Sequence, residues 1–119
     1  LLEFIEMPPF TRGREIHLPN GRLQELQVAL LANPNLGDVM PGCGGLRKLR
    51  WDDQQRGKGK RGGCRVIYLY HPEARRLDLL LVYGKNEQDD LTPAQRELLR
   101  DMAERSKKEA RTWAKSQRR

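Results

Sequence analysis

A chain of 119 residues, 37% of them hydrophobic, suits one domain with a modest core and leaves little room for a second. Its net charge of +7 is concentrated: residues 47–65 carry eight Lys or Arg against two Asp, residues 1–46 and 66–101 each sum to −2, and residues 102–119 add +5. Two cysteines, Cys43 and Cys64, form no C-x-x-C pair and argue against a disulfide framework or a zinc site, and no apolar run approaches the roughly 20 residues of a membrane span.

Residues 2–7 read as a first strand, stopped by Pro8-Pro9, which open a short helix through His17. Asn20 is the predicted N-cap of a second helix, with Leu23, Leu26, Val28, Leu30 and Leu31 at helical spacing. Asn33-Pro34 ends it, because a residue before proline avoids the helical region. The apolar stripe needs a sheet to cover. Three short runs, 46–51, 64–70 and 77–83, supply a meander of strands separated by Gly-, Pro- and charge-rich turns.

In the first run, period-two alternation puts Lys48 and Arg50 on one face and Arg47, Leu49 and Trp51 on the other. The second run is apolar on both faces apart from Arg65, as a central strand would be, with Arg65 at its mouth. The third ends in Gly84-Lys85-Asn86-Glu87, where chain reversal brings Lys85 toward the same region. A capping box, Thr92-Pro93-Ala94-Gln95, starts the last helix, whose stripe is Leu98, Leu99, Met102, Ala103, Ala110 and Trp113. Beyond about Lys107 the tail is basic enough to be expected to fray until a partner arrives.

Between the first two runs, glycines interleave Arg56, Lys58, Lys60 and Arg61, so backbone N–H groups as well as side chains can reach phosphate oxygens. A cluster of this kind binds a polyanion by releasing its condensed counterions, and nucleic acid is the expected ligand; the plainer alternative is a solvated, charged loop. Were the ligand an RNA strand cleaved here without metal, the reaction would require deprotonation of a 2′-OH, stabilisation of a phosphorane and protonation of the departing 5′ oxygen. Guanidinium suits the middle task because its planar fork binds two phosphate oxygens, which assigns it to Arg65 with Arg50 in support. A lysine among Lys48, Lys58 and Lys60 is the candidate base, and the residues do not choose between them. His17 and His71 lie outside the cluster and are expected to be structural, Trp51, Tyr68, Tyr70 and Tyr83 to pack in the core, and Met7, Met40 and Met102 to fill apolar gaps. The nearest carboxylate pair, Asp89-Asp90, sits in a turn without metal-ligand spacing.

Asn33-Pro34, Gly37-Asp38-Val39, Gly44-Gly45-Leu46-Arg47-Lys48, the Lys58 to Gly63 run, Arg65-Val66-Ile67-Tyr68, Tyr83-Gly84-Lys85-Asn86-Glu87 and Asp90-Leu91 together resemble the HigB-type branch of the RelE superfamily, toxins of type II toxin-antitoxin modules. The resemblance spans roughly residues 20–100. It implies an α+β fold of the RelE-like microbial RNase kind, a small antiparallel-rich twisted sheet with N-terminal helices and a C-terminal helix, in one domain over 1–119. It also implies a cytoplasmic, ribosome-dependent mRNA endoribonuclease without a cofactor. Its partners would be mRNA, the 16S rRNA of the ribosomal A site and a cognate helix-turn-helix antitoxin, with operator DNA reached only through the antitoxin complex and no membrane contact.

The family's Lys-x-Lys pair falls on Lys48 and Arg50, and its strand-opening arginine on Arg65. Asn86 stands where RelE has an arginine after Gly-Lys, and its C-terminal tyrosine falls near Thr92. The catalytic set is thus Arg65, Lys48, Arg50, Lys60 and Lys85, with Arg47, Arg56, Lys58 and Arg61 binding RNA. A ParE-like gyrase inhibitor is the rival within the same fold family, and a non-catalytic nucleic-acid-binding module the rival outside it.

Overall fold

The structure, a computed structural model, describes residues 1–51, 63–88 and 90–117. Strands β1 (Glu3–Glu6), β2 (Asp38–Val39), β3 (Arg47–Trp51), β4 (Cys64–His71) and β5 (Arg76–Gly84) form one mixed sheet in the order β1-β5-β4-β3-β2. Helices α1 (Pro8–His17) and α2 (Arg22–Ala32) lie between β1 and β2 in the chain, and α3 (Pro93–Gln117) follows β5. The architecture is α+β, and the predicted three-strand meander is β3-β4-β5, antiparallel throughout. Two edges complete it: β1 runs parallel to β5, and β2, two residues long, pairs antiparallel with β3.

Both sheet faces are covered. On one face Leu49, Trp51, Val66, Tyr68, Leu77, Leu79 and Val82 pack against Phe10 of α1 and Leu26 and Leu30 of α2. On the other, Ile67, Leu69, Leu80 and Tyr83 pack against Leu99, Met102 and Ala103 of α3. β4 is the middle strand and is buried on both faces, as its unbroken apolar run requires. Trp51 and Tyr68 are core residues, and the Tyr68 hydroxyl donates to Pro34 O at 2.7 Å and accepts from the Gly37 N–H at 2.9 Å, tying the chain before β2 to the middle of the sheet. Cys43 and Cys64 are buried free thiols. Among the described residues no helix is long and apolar enough to cross a membrane.

The strict alternation of β5 is broken once. Ile67 pairs with Leu81 but Tyr68 with Leu79, so Leu80 is an extra residue, a β-bulge. Leu77 and Leu79 point to the α1/α2 face and Tyr83 to the α3 face, which no unbroken alternation allows.

Helix ends differ from expectation at one place and agree at another. Asn20 (φ 56°) and Gly21 (φ 85°) are both left-handed, so Gly21 takes the N-cap position of α2 and Asn20 makes the turn before it. Val28 and Leu31 of α2 and Leu98 of α3 are exposed, leaving narrower apolar stripes than the spacing predicts. At α3 the capping box closes reciprocally: the Gln95 N–H donates to Thr92 Oγ1 at 3.1 Å, and the Thr92 N–H to Gln95 Oε1 at 2.9 Å. Past Lys107, α3 continues to Gln117. Ala110 is buried, Glu109 accepts from Arg76 at 2.9 Å, and Trp113 lies over the Arg76 guanidinium, 5.7 Å to the ring centre.

α1 lies close enough to β5 that Gly13 admits no side chain: a Cβ there would sit 2.6 Å from Val82 O and 2.8 Å from Val82 Cγ1. Alanine gains up to about 1 kcal/mol of helix propensity over glycine, whereas displacing a packed helix costs about 1–3 kcal/mol. Gly13→Ala is therefore expected to lower stability, read as the urea midpoint; an unchanged or raised midpoint would mean that α1 shifts on β5 at no cost.

Candidate functional site

The predicted split of β3 is observed. Leu49 and Trp51 enter the α1/α2 core, while register aligns Arg50 with Arg65 on β4, and Arg65 with Tyr83 on β5. One row across three strands on the α3 face thus reads Arg50, Arg65, Tyr83. The neighbouring row reads Lys48, Ile67, Leu81. Directly opposed strand residues have Cβ atoms about 4.5–5.5 Å apart, and like charges so placed repel, a repulsion that an anion between them relieves. Arg50 is exposed, Arg65 and Lys48 half-buried. The Arg65 guanidinium donates to Cys64 O at 3.3 Å, which holds its base at the start of β4.

Lys85 begins the turn after β5, and its N–H donates to Gly63 O at 3.2 Å, placing that turn beside the mouth of β4 and Arg65. Glu87 braces the turn by accepting from the Gly84 N–H at 2.8 Å and pairing with His17 Nε2 at 2.6 Å. The Gly84 N–H, and after it the His17 contact, hold the Glu87 carboxyl below the usual carboxylate range.

Arg47 is not brought to this group. It lies on the opposite face, where its Nη1 donates to Gly37 O at 2.7 Å and Asn35 O at 3.3 Å and so supports the loop before β2. Arg56, Lys58, Lys60 and Arg61 lie outside the described residues.

Three residues absent from the predicted set stand beside the row. Tyr83 is buried with the α3-side core, as expected, but its hydroxyl has no hydrogen-bond partner among the described residues. Burial pushes its pKa up; Asp90 adds to the rise, and Arg65 and Arg96 oppose it. Asp90, half exposed between β5 and α3, accepts from the Leu91 N–H at 2.8 Å and from Arg96 Nη2 at 3.1 Å, with Lys48 Nζ at 3.6 Å. The Leu91 N–H first, then the Lys48 and Arg96 charges, hold its carboxyl below the usual range. Gln88 secures this loop to α3, its amide donating to Asp90 O at 2.7 Å and Gln95 Oε1 at 2.9 Å. Alternation corrected for the bulge puts Tyr83 on the Arg65 face, and a cation on the first turn of a helix, where the dipole disfavours it, marks Arg96. Chemically, the arrangement is a rigid sheet face of guanidinium and ammonium groups, bordered by one phenol and one carboxylate. Such a surface binds phosphodiesters and stabilises added negative charge.

His71 and a second polar cluster lie elsewhere, under α3. Arg76 donates to both oxygens of the fully buried Asp78, at 2.6 and 3.1 Å, Ser106 donates to Asp78, and His71 Nε2 is 2.7 Å from Ser106 Oγ. These groups fasten α3 to the sheet. No model of a known protein family matches the chain.

Proposed function

We propose that this protein is a ribosome-dependent mRNA endoribonuclease, a translation-blocking toxin of the HigB-type branch of the RelE superfamily with a RelE-like fold. The single observation that supports this most is the cross-strand pair Arg50–Arg65 with Lys48 on the same face, the three residue positions at which the resemblance puts the family's cations. In this reading the 2′-OH attacks the adjacent phosphorus, the P–O5′ bond breaks, and the products are a 2′,3′-cyclic phosphate and a 5′-OH. Arg65 and Arg50 hold the phosphorane oxygens, whose extra charge guanidinium stabilises more than that of the ground state. One lysine among Lys48, Lys58 and Lys60 takes the proton of the 2′-OH, and a protonated cation of the catalytic set, which includes Lys85, gives one to the departing 5′ oxygen. Arg56, Lys58 and Arg61 add RNA affinity, and a helix-turn-helix antitoxin keeps the toxin inactive in its own cell.

A cationic sheet face positions a free RNA strand poorly, and orientation by the ribosome contributes several kcal/mol to such reactions, so cleavage on translating ribosomes is expected to exceed cleavage of naked RNA by at least about 100-fold. Mapping of mRNA 5′ ends after incubation with translating ribosomes tests this. Cuts within translated codons are the expected result. Intact mRNA together with inhibited gyrase supercoiling would favour the ParE-like alternative, and binding without cleavage a nucleic-acid-binding module.

A further inference from the structure

The donors around Asp90 are those of an anion site. A backbone N–H, a guanidinium and an ammonium converge on its carboxylate, Oδ1 facing Leu91 and Lys48 and Oδ2 facing Arg96. Both oxygens are thereby engaged, and neither serves the Tyr83 hydroxyl, which is buried without a hydrogen-bond partner among the described residues, in a residue 5% exposed. Tyr83 is the cross-strand neighbour of Arg65, and Asp90, Arg65 and Arg96 all act on its ionisation. Cross-strand pairing with Arg65 puts the Tyr83 ring on the sheet side of these charges.

We infer that Lys48, Arg96 and the Tyr83 hydroxyl form a second phosphate site beside the Arg50–Arg65 row, and that Asp90 fills it in the free protein as a displaceable internal anion. The ligand is a phosphodiester, the one next to the scissile group in a bound RNA strand; this much rests on the RNA reading above. A phosphodiester carries the same single charge as the carboxylate it replaces, and offers further oxygens, one of which accepts from Tyr83. The Asp90 side chain is 55% exposed, so it leaves by rotating into solvent while Gln88 keeps the Asp90 carbonyl and the start of α3 in place. The same exchange frees Lys48 from its only ion pair among the described residues.

Fluorescence anisotropy with a 2′-O-methyl oligonucleotide, which has no free 2′-OH to attack, reads the site at equilibrium. Asp90→Asn keeps an acceptor for the Leu91 N–H and removes the competing charge; it is expected to tighten binding roughly fivefold at low salt and to steepen the log–log salt dependence by about one. Tyr83→Phe is expected to weaken binding roughly three- to tenfold without lowering the melting temperature, since it deletes only an unpartnered hydroxyl. Unchanged affinity in both variants overturns the inference. Weaker binding by Asp90→Asn also overturns it, because Asp90 would then be a brace of the loop. Inorganic phosphate distinguishes this from failure of the RNA reading. If no variant binds the oligonucleotide, yet phosphate raises the melting temperature of Asp90→Asn more than that of the wild type, the anion site stands and the RNA assignment falls. If the oligonucleotide binds all variants alike, the RNA assignment survives and the site does not.

Discussion

Arg65→Ala is expected to lower ribosome-dependent mRNA cleavage by about 100- to 1,000-fold, the loss typical when one preorganised donor to developing negative charge is removed. Arg65 is half-buried at the first turn of β4, and its neighbours Cys64 and Val66 supply the core contacts there, so folding has little need of its guanidinium. The variant should keep the wild-type circular dichroism spectrum and melt within a few degrees of it. Arg65→Lys keeps the charge without the planar fork and is expected to recover only part of the rate. Cleavage by Arg65→Ala at near wild-type rate, measured on the same ribosomal complexes, would remove Arg65 from the reaction and leave the sheet face as a binding surface alone.

The largest expected loss of stability is at Asp78. Its carboxylate is fully buried, both oxygens face Arg76, and Ser106 and His71 lie around it. Asp78→Asn leaves the Arg76 charge buried with only the exposed Glu109 opposite it, and breaking a buried pair in this way costs about 3–5 kcal/mol. Urea denaturation at neutral pH measures the cost. Arg76→Met added to Asp78→Asn should recover much of it, because two apolar groups of similar size bury without a charge penalty. A loss below about 1 kcal/mol would mean that α3 is held by its apolar stripe without the polar cluster.

Acidity gives the same group a second test. Burial by itself would raise the Asp78 pKa, but the nearby His71, hydrogen bonds from Arg76 and Ser106 and the Arg76 charge outweigh it and hold the carboxyl below its ordinary 3.8. A lowered folded-state pKa means that the unfolded chain takes up the proton first. The stabilisation is therefore complete above the ordinary value and is lost as pH falls below 3.8 through the folded-state value. Wild type and Asp78→Asn should accordingly converge in urea midpoint on acidification.

What could be read in the sequence follows from how local its causes are. Lys48 and Arg50 separate from Leu49 and Trp51 by a two-residue period that any strand obeys, and Thr92 with Gln95 cap a helix through bonds within one turn. β2 has no such signature, because two residues become a strand only by pairing with Arg47 and Lys48. Asn20 is a good cap by type, yet the following glycine offers a left-handed turn that moves the cap one residue on. Tyr83 is a core residue by composition and the reading is correct for its ring; only tertiary placement shows that its oxygen meets no partner among the described residues. Asp90 and Arg96 look like solvated charges until the loop folds back on α3 and brings Lys48 to them.

One extra residue in β5 lets Leu77, Leu79 and Tyr83, all odd-numbered, lie on different faces of the sheet. A strand repeats every two residues, so the extra Leu80 is a half-period phase shift: everything after it is inverted relative to everything before. Deleting a single leucine from the bulge would leave composition, charge and strand propensity nearly untouched. Because Leu81 already pairs with Ile67 and Leu79 with Tyr68, the shortened strand would alternate regularly and keep Tyr83 on the Arg65 face and Val82 toward α1. The bulge is thus the place where β5 can gain or lose one residue without inverting its faces, and lineages descended from it should vary in length there before they do so elsewhere in the strand.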